Sequence, residues 1–218
     1  MTGITDGIYP LFPLEIVLYP NMPLPLHIFE PRYQQLVADC LENHREFGVI
    51  LMRNGKMSTV GTLAKIENVM ERLPDGRMNI LTLGKKRFSL VKFLGLVEDK
   101  AYFQAQVKIL EDIPEDATLL EKFRKQGEDL LNEFAHLTGI QSQSELFTNF
   151  TAGTFSFLLS ELNGFTLFQQ QKILELPSVS LRYEEVLVSL EAFVKKTALI
   201  KHIKDSLGDS ADVENILN

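Results

Sequence analysis

Cys40 and His44 stand four residues apart, the separation that puts two side chains on one helix face and an N/S pairing that zinc accepts. A structural zinc site needs four such ligands, and the neighbouring sequence does not supply them. Cys40 also falls on an apolar stripe, where an isolated cysteine serves as a small hydrophobe. Glu133 and His136 have the Glu-x-x-His spacing of helical di-metal centres, but that chemistry uses the pair twice and the chain supplies it once. His136 near a helix C-terminus is accounted for by the helix dipole. His27 and Cys40 are the base and thiol available for nucleophilic attack in the first half, yet nothing beside Cys40 would lower its pKa. Gly84-Lys85-Lys86 lacks the earlier glycine and the following hydroxyl of a phosphate loop, and neither the dinucleotide glycine pattern nor a G-x-S-x-G elbow occurs. The carboxylate pairs Glu128-Asp129 and Glu184-Glu185 fall on predicted helix surfaces as solvated charge. No catalytic residue, metal or cofactor is expected.

The elements that position these residues change period halfway along the chain. Six of the nine prolines lie between Pro10 and Pro31, and proline cannot donate to a sheet ladder. Leu11-Phe12, Ile16 to Leu18 and Leu24 to Phe29 are therefore predicted as short or edge strands. Pro31 opens a helix carrying Tyr33, Leu36, Val37, Cys40 and Leu41 on one face. Strands resume at Phe47 to Met52, and Val60 to Arg72 and Arg77 to Leu83 form a hairpin about Pro74-Asp75-Gly76. Gly84 marks a bulge or a close backbone approach, and Phe88 to Leu96 pairs with Ala101 to Leu110. After Pro114 the pattern is helical: a stripe of Leu120, Phe123, Leu130, Phe134 and Leu137 ending at Gly139, and a second of Phe155, Leu158, Leu159 and Leu162 stopped by Asn163-Gly164. Thr166 with Gln169 predicts a capping box for a third helix ending at Pro177. Ser180 is expected to cap the last, with Tyr183, Leu187, Leu190 and Val194 on one face. Strands then helices read as an α+β fold.

Composition narrows the function classes. At 218 residues, 45% hydrophobic and 23% charged, the chain can bury a core without metal or disulfide. A single cysteine fits a reducing compartment, and neither a secretory leader nor an apolar run of spanning length is visible, so a cytoplasmic protein without an integral membrane segment is expected. The net charge of −7 disfavours nucleic acid, since the one compact basic run is Lys85-Lys86-Arg87, read as a solvated face. Phenylalanine is abundant at 15 with no tryptophan, and Phe147, Phe150, Phe155, Phe157, Phe165 and Phe168 cluster in the helical half. They could form its core, or Phe157 and its neighbours could line an apolar groove.

Leu11-Phe12-Pro13-Leu14, Val17-Leu18-Tyr19-Pro20 and the run from Leu24 through His27-Ile28-Phe29-Glu30-Pro31-Arg32-Tyr33 resemble the opening of the Lon protease substrate-binding domain. Val60 to Ile66, Leu73-Pro74-Asp75-Gly76 and Gly84-Lys85-Lys86-Arg87-Phe88 are similar to its second signature, and Leu174 to Pro177 precedes the long last helix as in that family. The resemblance implies a PUA-like β pseudo-barrel lobe, here over 1–113, followed by a helical bundle over 114–207; the short acidic stretch 208–218 beyond it is expected from its composition to be a flexible tail. The resemblance also implies a role in recognising unfolded or tagged proteins, here in a stand-alone member without the ATPase or Ser-Lys peptidase of Lon.

The expected function is a non-catalytic protein-binding module whose partners are protein clients or a protease. The candidate binding residues are Leu24, Leu26, Phe29, Arg32, Tyr33, Phe147, Phe150 and Phe157, on a proline-bent strand edge and a phenylalanine cluster facing each other near Pro114. Two alternatives stay open: a PUA-like RNA binder, and a small-molecule enzyme using His27, Arg32 or Tyr33. In the Phe-Glu-Pro-Arg-Tyr segment, Arg32 is expected to pair with a local carboxylate and Tyr33 to enter the core, unless the segment is itself a binding surface.

Overall fold

A computed structural model describes residues 5–97, 99–140, 147–162 and 165–207. The expected Asn163-Gly164 helix stop and the acidic tail 208–218 lie outside these residues. Contacts divide the chain into two compact units, Met1–Asp112 with Phe165–Pro177, and Ile113–Gly164 with Ser178–Asn218.

The first unit holds β1 (Gly7–Leu14), β2 (Pro23–Ile28), α1 (Pro31–Glu42), β3 (Phe47–Arg53), β4 (Lys56–Arg72), β5 (Met78–Leu96) and β6 (Phe103–Leu110). Their order in the sheet is β2-β5-β4-β3-β1-β6, and a further β5–β6 pairing closes the sheet on itself. β1 runs parallel to β3 and antiparallel to β6. It is longer than expected and contains Pro10 and Pro13, because its two partners overlap only at Leu11. Each proline thus sits where one edge of the strand is unpaired and no N–H is needed. The strand expected at Ile16 to Leu18 does not form. Inside the closed sheet Leu11, Ile50, Leu63, Phe88, Ala105 and Val107 are fully buried.

β5 is one 19-residue strand rather than two, and Gly84 in its middle allows a close approach. A Cβ there would lie 2.2 Å from the Tyr19 carbonyl oxygen, while Gly84 N–H donates to Met22 O and Asn21 N–H to Gly84 O. The expected turn is present, with Gly76 N–H donating to Leu73 O at 3.0 Å. On α1, Tyr33, Leu36, Val37 and Cys40 are buried as the spacing predicts.

The run Lys85-Lys86-Arg87 is not a solvated face. Arg87 is 3% exposed, and its guanidinium donates to the carbonyls of Leu174 and Leu176 at 2.7 and 2.8 Å and to Asp112 at 2.6 Å. Those carbonyls end α4 (Leu167–Glu175), which therefore groups with the strands and not with the helices, contrary to the expectation for 114–207. Gln171 Nε2 donates to Val60 O at 3.0 Å and Tyr19 OH to Gln170 O at 3.1 Å, so the same helix is held at further points. Lys85 and Lys86 pair with Glu67 and Glu111.

The second unit contains α2 (Ala117–Thr138), α3 (Ala152–Leu162) and α5 (Val179–Leu207), packed on one another. Asp116 caps α2, its carboxylate accepting from Leu119 N–H at 2.8 Å. Ser178, not Ser180, caps α5, accepting from Leu181 N–H at 3.1 Å, and Glu115 accepts from Val179 N–H at 2.6 Å. The α2 stripe is only half-buried, and its closest approach is at Gly127, where a Cβ would lie 2.6 Å from Leu159 Cδ1. On α5, Val186 is buried where Leu187 was expected and Leu187 is half-buried. Among the described residues no helix is long and apolar enough to cross a membrane.

Candidate functional site

The exposed apolar surface nearest the expected site is a shelf on β2 and the β4–β5 hairpin. Leu24 and Leu26 are half-buried on β2, Phe29 just beyond it is 59% exposed, and Met70 on β4 is 54% exposed. Pro25, Leu26, His27, Met70, Glu71 and Asn79 border an open depression of about 680 Å³ here. β2 pairs only with β5 among the described strands, so its other edge is open.

That edge is poor in donors. The Leu24 carbonyl accepts from Thr82 Oγ1 on β5 at 2.8 Å, and Met22 O accepts from Gly84 N–H. Residues 22, 24, 26 and 28 thus direct their backbone groups to β5, and alternation sends those of Pro23, Pro25 and His27 to the open side. Two of these three residues are prolines, so His27 brings the one N–H of that stretch and full ladder pairing with an added strand is blocked.

A polar row crosses the shelf. Asn79 Nδ2 donates to Glu71 Oε2 at 2.7 Å, leaving Asn79 Oδ1 to accept from His27 Nδ1–H at 2.7 Å. The neutral His27 ring therefore keeps Nε2 as its acceptor. His27 also stacks on Phe29, ring centroids 5.9 Å apart. Among the described residues no serine, threonine or cysteine borders this depression, so no side-chain hydroxyl or thiol lies beside His27 there.

The remaining candidates divide sharply. Arg32 is half-exposed and pairs with Glu30 at 2.7 Å. Tyr33 is 7% exposed and stacks on Phe12 at 3.9 Å, so it is a core residue and offers no surface to a partner. Phe157 was expected off the main stripe; it is 3% exposed, with the fully buried Arg182 guanidinium 4.1 Å from its ring centroid. Burial removes it from any groove. Phe147 and Phe150 are half-buried, pack on each other at 5.9 Å, and their carbonyls are held by Arg124. Sequence spacing could not show this, because the arginine that organises the loop lies more than 20 residues away.

The other sequence candidates are structural. His44 lies beyond the end of α1 with φ 50°, so it does not share a helix face with Cys40. Burial pushes the Cys40 thiol up to about 12, keeping it protonated and unreactive at neutral pH. Beside it, burial opposes ionisation of Asp39, but hydrogen bonds from Lys100 and Tyr102 outweigh it and hold the carboxyl below its usual range. Among the described residues no group of three or more His, Cys, Asp or Glu side chains could hold a metal ion.

Comparison with known proteins gives a consistent result. The family described as the ATP-dependent protease La (LON) substrate-binding domain matches residues 8–192. Lon protease of Cytophaga hutchinsonii is 29% identical over 186 residues, covering 78% of this chain and 22% of that protein. Lon protease of Dictyoglomus thermophilum is 25% identical over 193 residues, covering 82% and 24%. The chain thus spans about a quarter of the length of the curated relatives it matches. Among solved structures, the Lon N-terminal domain protein from Xanthomonas campestris superposes with a TM-score of 0.61 at 26% identity, covering 84% of this chain and 98% of that one. The N-terminal domain of Mycobacterium avium complex Lon protease gives 0.67 at 14% identity, covering 85% and 98%, a likeness of fold alone.

Proposed function

Because this chain belongs to the Lon substrate-binding domain family and has the mixed α+β fold of Lon N-terminal domains, we propose that it is a non-catalytic module that binds unfolded or apolar segments of proteins. In this reading the closed sheet is a PUA-like β pseudo-barrel and the second unit its accompanying helical bundle. The partners are protein clients or a protease that receives them.

One observation carries the proposal: Met70, 54% exposed, borders one depression with Pro25, Leu26 and His27, and the His27 ring stacks on Phe29, itself 59% exposed. Contiguous apolar surface of this kind marks an interaction site, whereas isolated exposed hydrophobics do not. Since the prolines remove donors from the strand edge, side-chain burial supplies most of the affinity and ladder bonding little. Removing a well-covered phenylalanine costs roughly 1.5–3 kcal/mol, which is about 10- to 100-fold in affinity.

The test is hydrogen exchange with and without reduced lactalbumin as an unfolded client. Protection at 24–29 and 68–72, lost in Phe29→Ala with Met70→Ala, is the expected result. Protection confined to the outer face of α5, or unchanged affinity in the double variant, overturns the assignment. The purified chain is further expected neither to hydrolyse ATP nor to degrade casein.

A further inference from the structure

The shelf carries a charge and hydrogen-bond pattern that narrows which segments it can hold. Strand register puts His27, Asn79 and Glu71 in one row across β2, β5 and β4, so their side chains stand on the same face of the sheet. Met70 falls within a register shift of β4 and borders the same depression.

The row is fixed in sense. A carboxylate only accepts, so Asn79 gives its amide N–H to Glu71 and its carbonyl oxygen accepts from the His27 ring, both at 2.7 Å. What remains unspent is acceptor capacity: the Glu71 carboxylate and Nε2 of the neutral His27 ring. The open edge of β2 adds the carbonyls of Pro23, Pro25 and His27 against the single N–H of His27.

Neighbouring cations do not balance this acceptor surface. Glu71 makes no ion pair among the described residues, and no described Lys or Arg borders the depression. Arg32 and Arg77 are each paired at 2.7 Å, with Glu30 and Asp75. Arg72 is in register with buried Ile28 and Met78, which puts it on the other face of the sheet. Phe29, 59% exposed and stacked with the His27 ring, adds an aromatic face of the kind that attracts cations.

We propose, resting on the client-binding reading above, that the shelf selects basic apolar segments. A client arginine sits against Glu71, His27 Nε2 and the Phe29 ring, while a neighbouring apolar side chain covers Met70 and Pro25. A guanidinium suits the place better than an ammonium. Its fork of donors can meet carboxylate and imidazole together, and its flat face can lie on the phenylalanine. The net charge of −7 draws such segments in and repels acidic ones.

The experiment uses the intact chain and two fluorescein-labelled peptides, read by anisotropy. One has a leucine-phenylalanine centre flanked by arginines; the other has citrulline at the same positions, which keeps the shape and loses the charge. The arginine peptide should bind about fivefold tighter or more, with the preference shrinking as sodium chloride is added. In Glu71→Gln, whose side-chain oxygen can still accept from Asn79, the two affinities should come within about twofold of each other. The thermal midpoint should hold, because the Glu71 side chain is exposed. Equal affinities in the wild type, or a preference that survives Glu71→Gln, overturn the inference. If both peptides then still lose affinity in Phe29→Ala with Met70→Ala, the client-binding reading stands and only the arginine preference falls. If neither peptide binds the wild-type chain, both fall.

Discussion

The Phe29 segment and the phenylalanines of the helical unit look alike in sequence, both being aromatic-rich stretches beside helix boundaries. They end in opposite environments. In the helical unit, Phe155 and Phe157 are buried, with the Arg124 and Arg182 guanidiniums over their rings. In the first unit Phe12 and Tyr33 go inward and Phe29, four residues before Tyr33, stays out. The difference teaches that aromatic abundance measures what a chain can bury, while exposure depends on whether a second element arrives to cover it. β2 is an edge strand with proline at alternate positions, and no other described strand covers its open side.

The comparison breaks first at Phe157. Phe157→Ala should destabilise the protein by about 3–5 kcal/mol, as large-to-small core changes do, without weakening client binding at saturating native protein. Urea denaturation beside a binding titration measures both, and a selective loss of binding would put Phe157 back on a functional surface.

Arg87→Met is the next largest effect, at roughly 3 kcal/mol, since Asp112 and the last carbonyls of α4 lose their buried donor. Loss of protection in α4 amides by hydrogen exchange should accompany it. If α4 stays protected, the helix is held by its apolar face alone.

Acid sharpens the contrast further. Asp39 has a lowered pKa in the folded state, so its contribution is present above the unfolded value near 4 and is lost as pH falls through the folded value. Asp39→Asn should therefore flatten the loss of stability between about pH 5 and 3, read from denaturation midpoints. A wild-type slope retained in the variant would assign that loss to other carboxylates.

The smallest effect on stability belongs to Phe29→Ala, expected within about 0.5 kcal/mol because the side chain is mostly in water. Its effect on client capture should be among the largest, and a variant that unfolds readily would show that the shelf is a core margin.

Much of this protein could be read from local spacing, because local spacing is what sets helix faces and turns. The α1 stripe, the Pro74-Asp75-Gly76 turn, the Thr166–Gln169 capping box and the tight fit at Gly84 all depend on neighbours within a few residues or on the absence of a Cβ. The ordered motifs from Leu11 to Phe88 identified the family for the same reason, since each encodes a strand edge or turn that the fold repeats. Other features were decided only by the tertiary structure. Arg87 becomes buried because carbonyls 87 and 89 residues away converge on it, and α4 joins the strands through that clamp. Tyr33, Arg32 and Phe29 part ways within five residues because Phe12, distant in sequence, supplies a stacking partner to only one of them. Spacing along a chain says which side chains share a face; which face is covered depends on contacts that close long loops, and those are set by the fold as a whole.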